Sequence, residues 1–352
     1  MSYEDGWAAI NLEMPKRVPR TEYSLEGHHE ALTAITGIEV TPDTPDDVRS
    51  EAVHELWRRW NYDFFWCINV GGEGFGKWRT DMGHAEYAAG GVDRREPGEC
   101  PFKTPEEVLN FDPGEHFDKP AHADLVAHFE KAYKWQCESW PDGVHMTGTY
   151  TTCFSGLIEM LGWDMLLLAA GTDPVRFGDF TNRYCKWFQQ YMDALAEADI
   201  PLVMVHDDMV WTAGAFMHPD WYREYVFPNL KKYFTPIRDS GKKIMFTSDG
   251  NFTEFVDDLA DAGVTGFVME PMTDMALIAE KYGKTHSFIG NVDTRILLSG
   301  SRADIRAEVE RCMGIGKSCP GFFMAVGNHI PPNTPVDSVL YYNEVYEKLS
   351  QR

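Results

Sequence analysis

Short apolar segments alternate with amphipathic stretches through the second half of the chain. Each apolar run has the length of a buried strand, and each is followed by residues with helical periodicity. The predicted strands are Pro201–Val205, Lys243–Thr247, Thr265–Met269, His286–Gly290 and Gly321–Val326. The predicted helices are Asp220–Ser240, Thr253–Ala262, Asp274–Tyr282, Arg302–Gly316 and Val336–Leu349. Continuous apolar strands in repeated strand–helix units indicate a parallel sheet covered on both faces.

The first half contains fewer recognisable units. Tyr62–Val70 and Val144–Tyr150 have strand character, and a helical pattern over Gly156–Ala170 follows the second. An eighth strand is not identifiable from the pattern. We predict a (β/α)8 TIM barrel formed by residues 1–352 as a single domain, with a doubly wound open sheet as the alternative.

Residues 71–118 interrupt this alternation. They are polar and rich in glycine, proline and charge. Long connections of this kind in compact domains usually serve as lids or binding loops. We therefore expect a long N-terminal excursion from the barrel that acts as a lid or insertion.

Composition and charge exclude several classes of protein. The 352 residues are 43% hydrophobic and 25% charged, as in folded globular domains. The formal net charge of -23 repels phosphate backbones and anionic lipid, so neither nucleic acid nor a membrane is an expected partner. No signal peptide and no apolar run long enough to span a bilayer is apparent, which favours a cytoplasmic location. The seven cysteines lack CxxC spacing and are expected to be mostly free thiols.

Polar residues follow the predicted strands of the second half. They are His206, Asp207, Asp208, Ser248, Asp249, Gly250, Glu270, Asn291, Asp293, Gly327, Asn328 and His329. Barrel enzymes assemble their active sites from residues at the carboxyl ends of several strands. The alternative is that these residues cap the following helices. Capping fits less well for Glu270 and His329, which are followed by proline or Ile-Pro-Pro.

His206, Asp207 and Asp208 form the densest polar cluster. Such a cluster can orient a base, bind a cation or hold a substrate hydroxyl, although neighbouring strand residues point to opposite sides. The residue types at His206, Asp249, Glu270 and His329 suit a metal, but their spacing specifies no site, and zinc is one option.

Further residues are candidates for substrate contacts. Trp211 and Phe216 follow the polar cluster and are expected to form walls of an aromatic pocket. Asp81 and His84 lie in the excursion, which as a lid would bring them over that pocket.

Several segments resemble the uroporphyrinogen decarboxylase superfamily, which includes corrinoid-dependent methyltransferases. The resemblance covers nearly the whole chain and is strongest in HDDM, FTSDGN, ADAGVTGFVMEP, GNVDTRILLSG and AVGNHIPPNTPVDSV. GWAAINLEMPKRVPRTEYS and TDMGHAEYAAGGVDRRE resemble the branch whose methyltransferases demethylate methoxylated aromatic compounds. The resemblance also implies the barrel fold.

Departures from the family patterns discriminate between its branches. The decarboxylases carry an MRQAGR motif that holds substrate propionates, whereas residues 17–22 here read RVPRTE. The coenzyme M methyltransferases bind zinc through His-x-Cys and a later Cys, whereas this chain has Phe246-Thr247-Ser248 and Asn328-His329. We therefore expect neither porphyrinogen decarboxylation nor the cysteine-based zinc site of the coenzyme M methyltransferases.

The resemblance implies transfer of a methyl group from a methoxylated aromatic donor to cob(I)alamin carried by a separate corrinoid protein. Glu270, Asp249 and His329, with Asp207 or Asp208, would activate the donor oxygen directly or through a metal. Asn291, with His206, would orient the ring, and Trp211 with Phe216 would receive an aromatic or cobalamin face.

The sequence leaves open two alternatives to the methyltransferase function. A decarboxylase or lyase without corrinoid and a non-catalytic corrinoid-handling subunit are the competing hypotheses. The chain has no Asp-x-His-x-x-Gly run, so the corrinoid would come from the partner protein. A homodimer is also open.

Overall fold

A parallel β-sheet forms the centre of the protein in the computed structural model, which describes residues 3–80 and 99–352. The strands are β1 Phe64–Phe65, β2 Ile68–Val70, β3 Val144–His145, β4 Thr147–Thr149, β5 Leu202–His206, β6 Lys243–Ser248, β7 Gly266–Met269, β8 Ser287–Ile289 and β9 Phe322–Phe323. Seven of them are hydrogen-bonded in the order β2-β4-β5-β6-β7-β8-β9, and β1 pairs with β3. All of these pairings are parallel.

A short extended segment, Pro19–Thr21, bridges the two ends of this sheet. On one side, Met324 N–H donates to Pro19 O at 2.8 Å and Thr21 N–H donates to Met324 O at 3.1 Å. On the other side, Asp63 N–H donates to Arg20 O at 2.9 Å, directly before β1. This segment takes the position of the eighth strand. The arrangement is the (β/α)8 type that the alternation predicts, not the open doubly wound sheet.

Helices surround the sheet. They are α1 Tyr3–Ile10, α2 His29–Thr36, α3 Asp46–Arg59, α4 Pro105–Asn110, α5 Pro113–His116, α6 His122–Ser139, α7 Phe154–Thr172, α8 Pro174–Glu197, α9 Pro219–Tyr225, α10 Phe227–Asp239, α11 Val256–Ala262, α12 Met275–Tyr282, α13 Thr294–Ser299, α14 Arg302–Gly316 and α15 Val336–Leu349. Single 3-10 turns occur at Leu25–Gly27, Gly72–Phe75 and Thr253–Phe255.

The chain forms two helices where the sequence predicted the single helix Asp220–Ser240. The chain forms α9 and then α10, with Val226 between them. Pro228 lies at the start of α10, where its missing N–H interrupts the hydrogen-bond ladder of a continuous helix.

The strands separate two hydrophobic clusters. Leu202 and Met204 of β5 belong to the cluster inside the barrel, whereas Val203 and Val205 belong to the cluster between sheet and helices. This alternation follows from the period of two residues in a strand. It directs His206 towards the interior and Asp207 towards the helices.

The described parts of residues 71–118 pack outside the barrel against α8. Phe117 contacts Trp187 with ring centroids 4.8 Å apart, and Phe75 stacks on Phe117 at 4.9 Å. Arg176 at the start of α8 pairs with Glu106 at 2.7 Å. The role as a lid stays a prediction, because residues 81–98 lie outside the described residues.

Helix α7 is long and apolar enough to cross a membrane by length and composition alone. Its most apolar window is 56% buried within the protein, as in a core helix, and the backbone departs from helical geometry at Gly162, where φ is 66°. It therefore behaves as a core helix of an α/β domain.

All seven cysteines are free thiols, which confirms that prediction.

Arg20 is fully buried at the seam formed by Pro19–Thr21. Its Nη2 lies 2.7 Å from Glu22 Oε1, and its guanidinium stacks 4.4 Å from the ring of Trp60 and 4.3 Å from that of Tyr346. Glu22 in turn accepts a hydrogen bond from Val326 N–H at 3.0 Å. The ion pair thus joins the amino-terminal segment to the chain that follows β9.

Replacing Arg20→Gln should lower the free energy of unfolding by about 3–5 kcal/mol, because the substitution leaves Glu22 buried without its cation. Urea denaturation followed by circular dichroism measures this change. The matched control Arg58→Gln removes a largely exposed partner of Glu55 and should leave stability nearly unchanged. A loss below 1 kcal/mol for Arg20→Gln would show that the pair does not hold the seam.

Candidate functional site

A cavity of about 480 Å³ lies at the carboxyl ends of the strands. One part of its lining, here called the polar side, consists of His206, Asp208, Ser248, Asp249, Asn328 and His329. Another part, the aromatic wall, consists of Tyr23, Trp57, Tyr62, Phe64, Phe65 and Trp66. Within residues 3–80 and 99–352, no lysine or arginine lines this cavity.

His206 ends strand β5, and its ring contacts Tyr150, Ser155 and Asp208. Its ring stacks on Tyr150, with centroids 4.1 Å apart and planes 10° from parallel. Its Nδ1 lies 3.4 Å from Ser155 Oγ, and its Nε2 lies 3.2 Å from Asp208 Oδ1. Burial lowers the pKa of His206, while the charge of Asp208 opposes this shift. A neutral imidazole retains a nitrogen that can accept a proton or bind a metal.

The segments after β5, β6 and β7 bring three carboxylates together. Asp249 N–H donates to Asp208 Oδ1 at 2.9 Å, and Gly250 N–H donates to Glu270 Oε2 at 2.6 Å. Asn328 Nδ2 donates to the other oxygen of Glu270 at 2.7 Å. Thus Glu270 is fixed on both oxygens, and it supports the loop that carries Asp249.

Asp249 is open to the cavity yet surrounded by protein. Burial raises its pKa well above the usual range, and the negative charges of Asp208 and Glu270 raise it further. A carboxyl group with a raised pKa can donate a proton to a reacting oxygen.

One imidazole and two carboxylates are close enough to share a metal ion. A ligand atom from each of His206, Asp208 and Asp249 lies within 4.8 Å of the others. Of the four residues predicted as metal candidates, this group contains His206 and Asp249. Glu270 is outside it because its oxygens bind Gly250 and Asn328.

His329 is also outside this group but lines the cavity. Its Nδ1 contacts Ser24 Oγ. Burial lowers the pKa of His329, and the neighbouring His206 lowers it further.

Asp207, predicted as a catalytic candidate, lies outside the cavity. Its Oδ1 accepts the backbone N–H groups of Cys153 at 3.1 Å and Ser155 at 2.8 Å, at the start of α7. Burial raises the pKa of Asp207 to about 7, although these N–H groups oppose the shift. Asp207 is outside the cavity because side chains alternate along β5, which directs Asp207 away from His206 and towards the helices.

Three residues predicted to contact substrate are likewise not part of the cavity lining. Asn291 is buried, donates to Glu270 O at 3.2 Å and accepts from Arg311 Nη2 at 2.9 Å. Trp211 and Phe216 contact Trp163, with centroids 5.6 and 5.4 Å away.

Two more predicted residues, Asp81 and His84, lie outside the described residues.

The aromatic wall and two glutamates were missed from the sequence. Glu22 and Glu26 line the cavity close to the wall, and Trp57 Nε1 donates to Glu26 Oε1 at 2.7 Å. The signal for the wall was the aromatic density of YDFFW within a predicted strand. The glutamates gave no signal because the strand that precedes them was not recognised.

Comparisons with known proteins agree with this architecture. A solved methyltransferase from Methanosarcina mazei matches with a TM-score of 0.63 at 20% identity, covering 97% of this chain and 96% of that one. At this identity the likeness shows the fold.

Curated relatives match over a smaller part. The uroporphyrinogen decarboxylase of Thermus thermophilus is 29% identical over 161 residues, which is 46% of this chain and 45% of that protein. The one from Coxiella burnetii is 26% identical over 165 residues, covering 46% and 44%. The matches span less than half of these relatives' own length.

A barrel whose strand ends surround a cavity lined with acids and imidazoles defines an enzyme of the (β/α)8 class. The family model for uroporphyrinogen decarboxylase (URO-D) matches residues 88–349. The chain belongs to the uroporphyrinogen decarboxylase family.

Asp207→Ala should lower the free energy of unfolding by about 1–3 kcal/mol, because buried N–H groups at the start of α7 lose their acceptor. Asp207→Asn should recover part of this loss, since its Oδ1 still accepts a hydrogen bond. Thermal and urea unfolding measure both variants. The control Asp164→Ala, at an exposed position of α7, should have little effect. Equal stability of Asp207→Ala and wild type would contradict the assigned structural role.

Proposed function

We propose that this protein is a methyltransferase that moves a methyl group from a methoxylated aromatic donor to the cob(I)alamin of a separate corrinoid protein. The observation that carries the proposal is the cavity itself, in which an aromatic wall adjoins a polar side with acids and imidazoles. A pocket of this composition suits an aromatic ring with a reacting oxygen substituent.

The reaction needs help at the departing oxygen. The bond between oxygen and methyl carbon breaks, a bond between cobalt and carbon forms, and the electron pair of the broken bond stays on the phenolic oxygen. That oxygen requires a proton or a Lewis acid. Asp249 is the proposed proton donor, because burial and its neighbours raise its pKa. Glu270 and Asn328 would hold the loop of Asp249 in position.

A metal fits a different set of residues from the thiol site of the coenzyme M branch. Phe246 and Ser248 stand in place of the first His and Cys of that branch, and the chain has Asn328-His329 near the later Cys, so the thiol site does not fit. His206, Asp208 and Asp249 offer one nitrogen and carboxylate oxygens, a donor set that zinc or a related divalent ion accepts. When bound, such an ion would keep Asp249 ionised and would supply Lewis-acid polarisation of the donor oxygen in place of the proton.

Decarboxylation is the second candidate, because the curated relatives are decarboxylases. A porphyrinogen carries several carboxylates, which barrel enzymes would hold with basic residues. In the described part of the chain, the cavity lining offers none. This observation favours methyl transfer.

An anaerobic assay with cob(I)alamin, the cognate corrinoid protein and a panel of methoxylated aromatics should show methylcobalamin formation by absorbance. Asp249→Asn should slow transfer by about 100-fold or more, because the variant can neither deliver a proton nor supply a carboxylate to the metal. Asp164→Asn, at an exposed site, serves as the matched control. Failure with every donor, together with release of CO2 from a porphyrinogen, would establish the decarboxylase hypothesis instead.

Elemental analysis of the purified protein should find about one divalent ion per chain. His206→Ala and Asp208→Ala should each lose this ion, because each removes a ligand from the group of three. His329→Ala should retain it, since His329 is not in this group. Equal metal content in the wild type and the His206 variant would contradict the site, whatever the activity.

A further inference from the structure

One serine behind the cavity contacts three successive residues of the polar cluster. Ser155 is the second residue of α7, is buried and is not part of the cavity lining. Its N–H donates to Asp207 Oδ1 at 2.8 Å. Its Oγ accepts the N–H of Asp208 at 2.8 Å and lies 3.4 Å from His206 Nδ1. Two of these three residues, His206 and Asp208, belong to the group that could share a metal ion.

The alternation of side chains at the end of β5 explains how one serine reaches all three residues. Asp207 is directed towards the helices, where its Oδ1 also accepts the N–H of Cys153 at 3.1 Å. These bonds hold the start of α7 against the end of the strand. Asp207 thereby fixes the helix, and the helix supplies the Ser155 hydroxyl that contacts the two neighbours of Asp207.

A hydroxyl group suits this position because it can accept and donate hydrogen bonds at the same time. One lone pair of Ser155 Oγ accepts the N–H of Asp208, which leaves the second lone pair and the hydrogen for His206. The hydroxyl therefore serves the ring whether Nδ1 carries a proton or not. When the proton of a neutral ring is on Nδ1, Nε2 is free to bind an ion.

The ring of His206 has little freedom to turn. It stacks on Tyr150, with centroids 4.1 Å apart, and the backbone of Tyr150 also forms a hydrogen bond with it. Its Nε2 lies 3.2 Å from Asp208 Oδ1, which accepts the N–H of Asp249 at 2.9 Å. Nδ1 therefore faces the buried serine, and Nε2 faces the carboxylates that line the cavity.

We propose that Ser155 is a positioning residue for the metal ion. Its hydroxyl orients His206 so that Nε2 is the metal-binding atom, and it holds the backbone of Asp208 beside that nitrogen. A partner of this kind behind a metal ligand typically changes metal affinity by about 10–100-fold. The presence of the ion rests on the proposed function, whereas the contacts of Ser155 do not.

The test is a titration of the full chain with Co²⁺, after its own metal has been removed with a chelator and without corrinoid or methyl donor. Competition with a chelating dye gives the affinity, and visible absorbance reports the ligand geometry. Ser155→Ala should weaken Co²⁺ binding by about 10-fold or more and alter the visible spectrum, because two ligands lose a common support. Alanine is a better helix former than serine, so α7 should persist.

Two further comparisons separate positioning from packing. Ser155→Thr and Ser155→Val have the same shape and differ in the hydroxyl, so the valine variant alone should lose affinity. Thr181→Ala in α8 is the matched control, because the Thr181 hydroxyl is also buried and donates to Phe177 O at 2.9 Å, away from the cavity lining. This variant should bind Co²⁺ as the wild type does. Circular dichroism confirms that each variant is folded.

Two outcomes would overturn the inference alone. Either the alanine and valine variants of Ser155 bind Co²⁺ with the affinity and spectrum of the wild type, or Thr181→Ala weakens binding as much as they do. A wild-type chain that binds no Co²⁺ would remove both the metal of the proposed function and this inference. Weaker Co²⁺ binding by Ser155→Ala in a protein that transfers no methyl group supports the inference and removes methyl transfer alone.

Discussion

The buried ion pair between Arg20 and Glu22 is the interaction on which the site depends. It sits where a short segment joins the two ends of the sheet, with few backbone hydrogen bonds on either side. Tyr342 and Val326 also bind Glu22, so the pair connects three parts of the chain that are distant in sequence. The next residue, Tyr23, already belongs to the aromatic wall. The geometry of the cavity therefore depends on the polar contact between Arg20 and Glu22 at the seam of the barrel.

The sequence predicted the second half of the barrel well, because its strands are continuous apolar runs separated by amphipathic helices. The segment Pro19–Thr21 escaped prediction because it is short and its central residue is an arginine. Hydropathy places arginine at the surface, and only its pairing with Glu22 and its stacking on Trp60 explain its burial. Helix α8 was not predicted either, although Phe177, Tyr184 and Phe188 recur at helical spacing on its buried face.

For the site, the position of a residue after a strand indicated that it lies near the cavity. The sequence did not reveal the direction in which its side chain points. The alternation of side chains implied that His206, Asp207 and Asp208 do not share one pocket. Which of them faces inward follows from Leu202 and Met204, whose place inside the barrel becomes visible only when the sheet is closed. Asn291 lies outside the cavity lining for a related reason, since it binds Arg311, which comes from a helix that the sequence pattern does not connect to it.

The cavity draws its two parts from different stretches of the chain. The family model begins at residue 88, after the whole aromatic wall, and contains the whole polar side. The two parts of the cavity therefore come from separate stretches of the sequence, the aromatic wall from residues 23–66 and the polar side from residues 206–329. Under the proposed function, the choice of ligand would belong to the first stretch and the chemistry to the second.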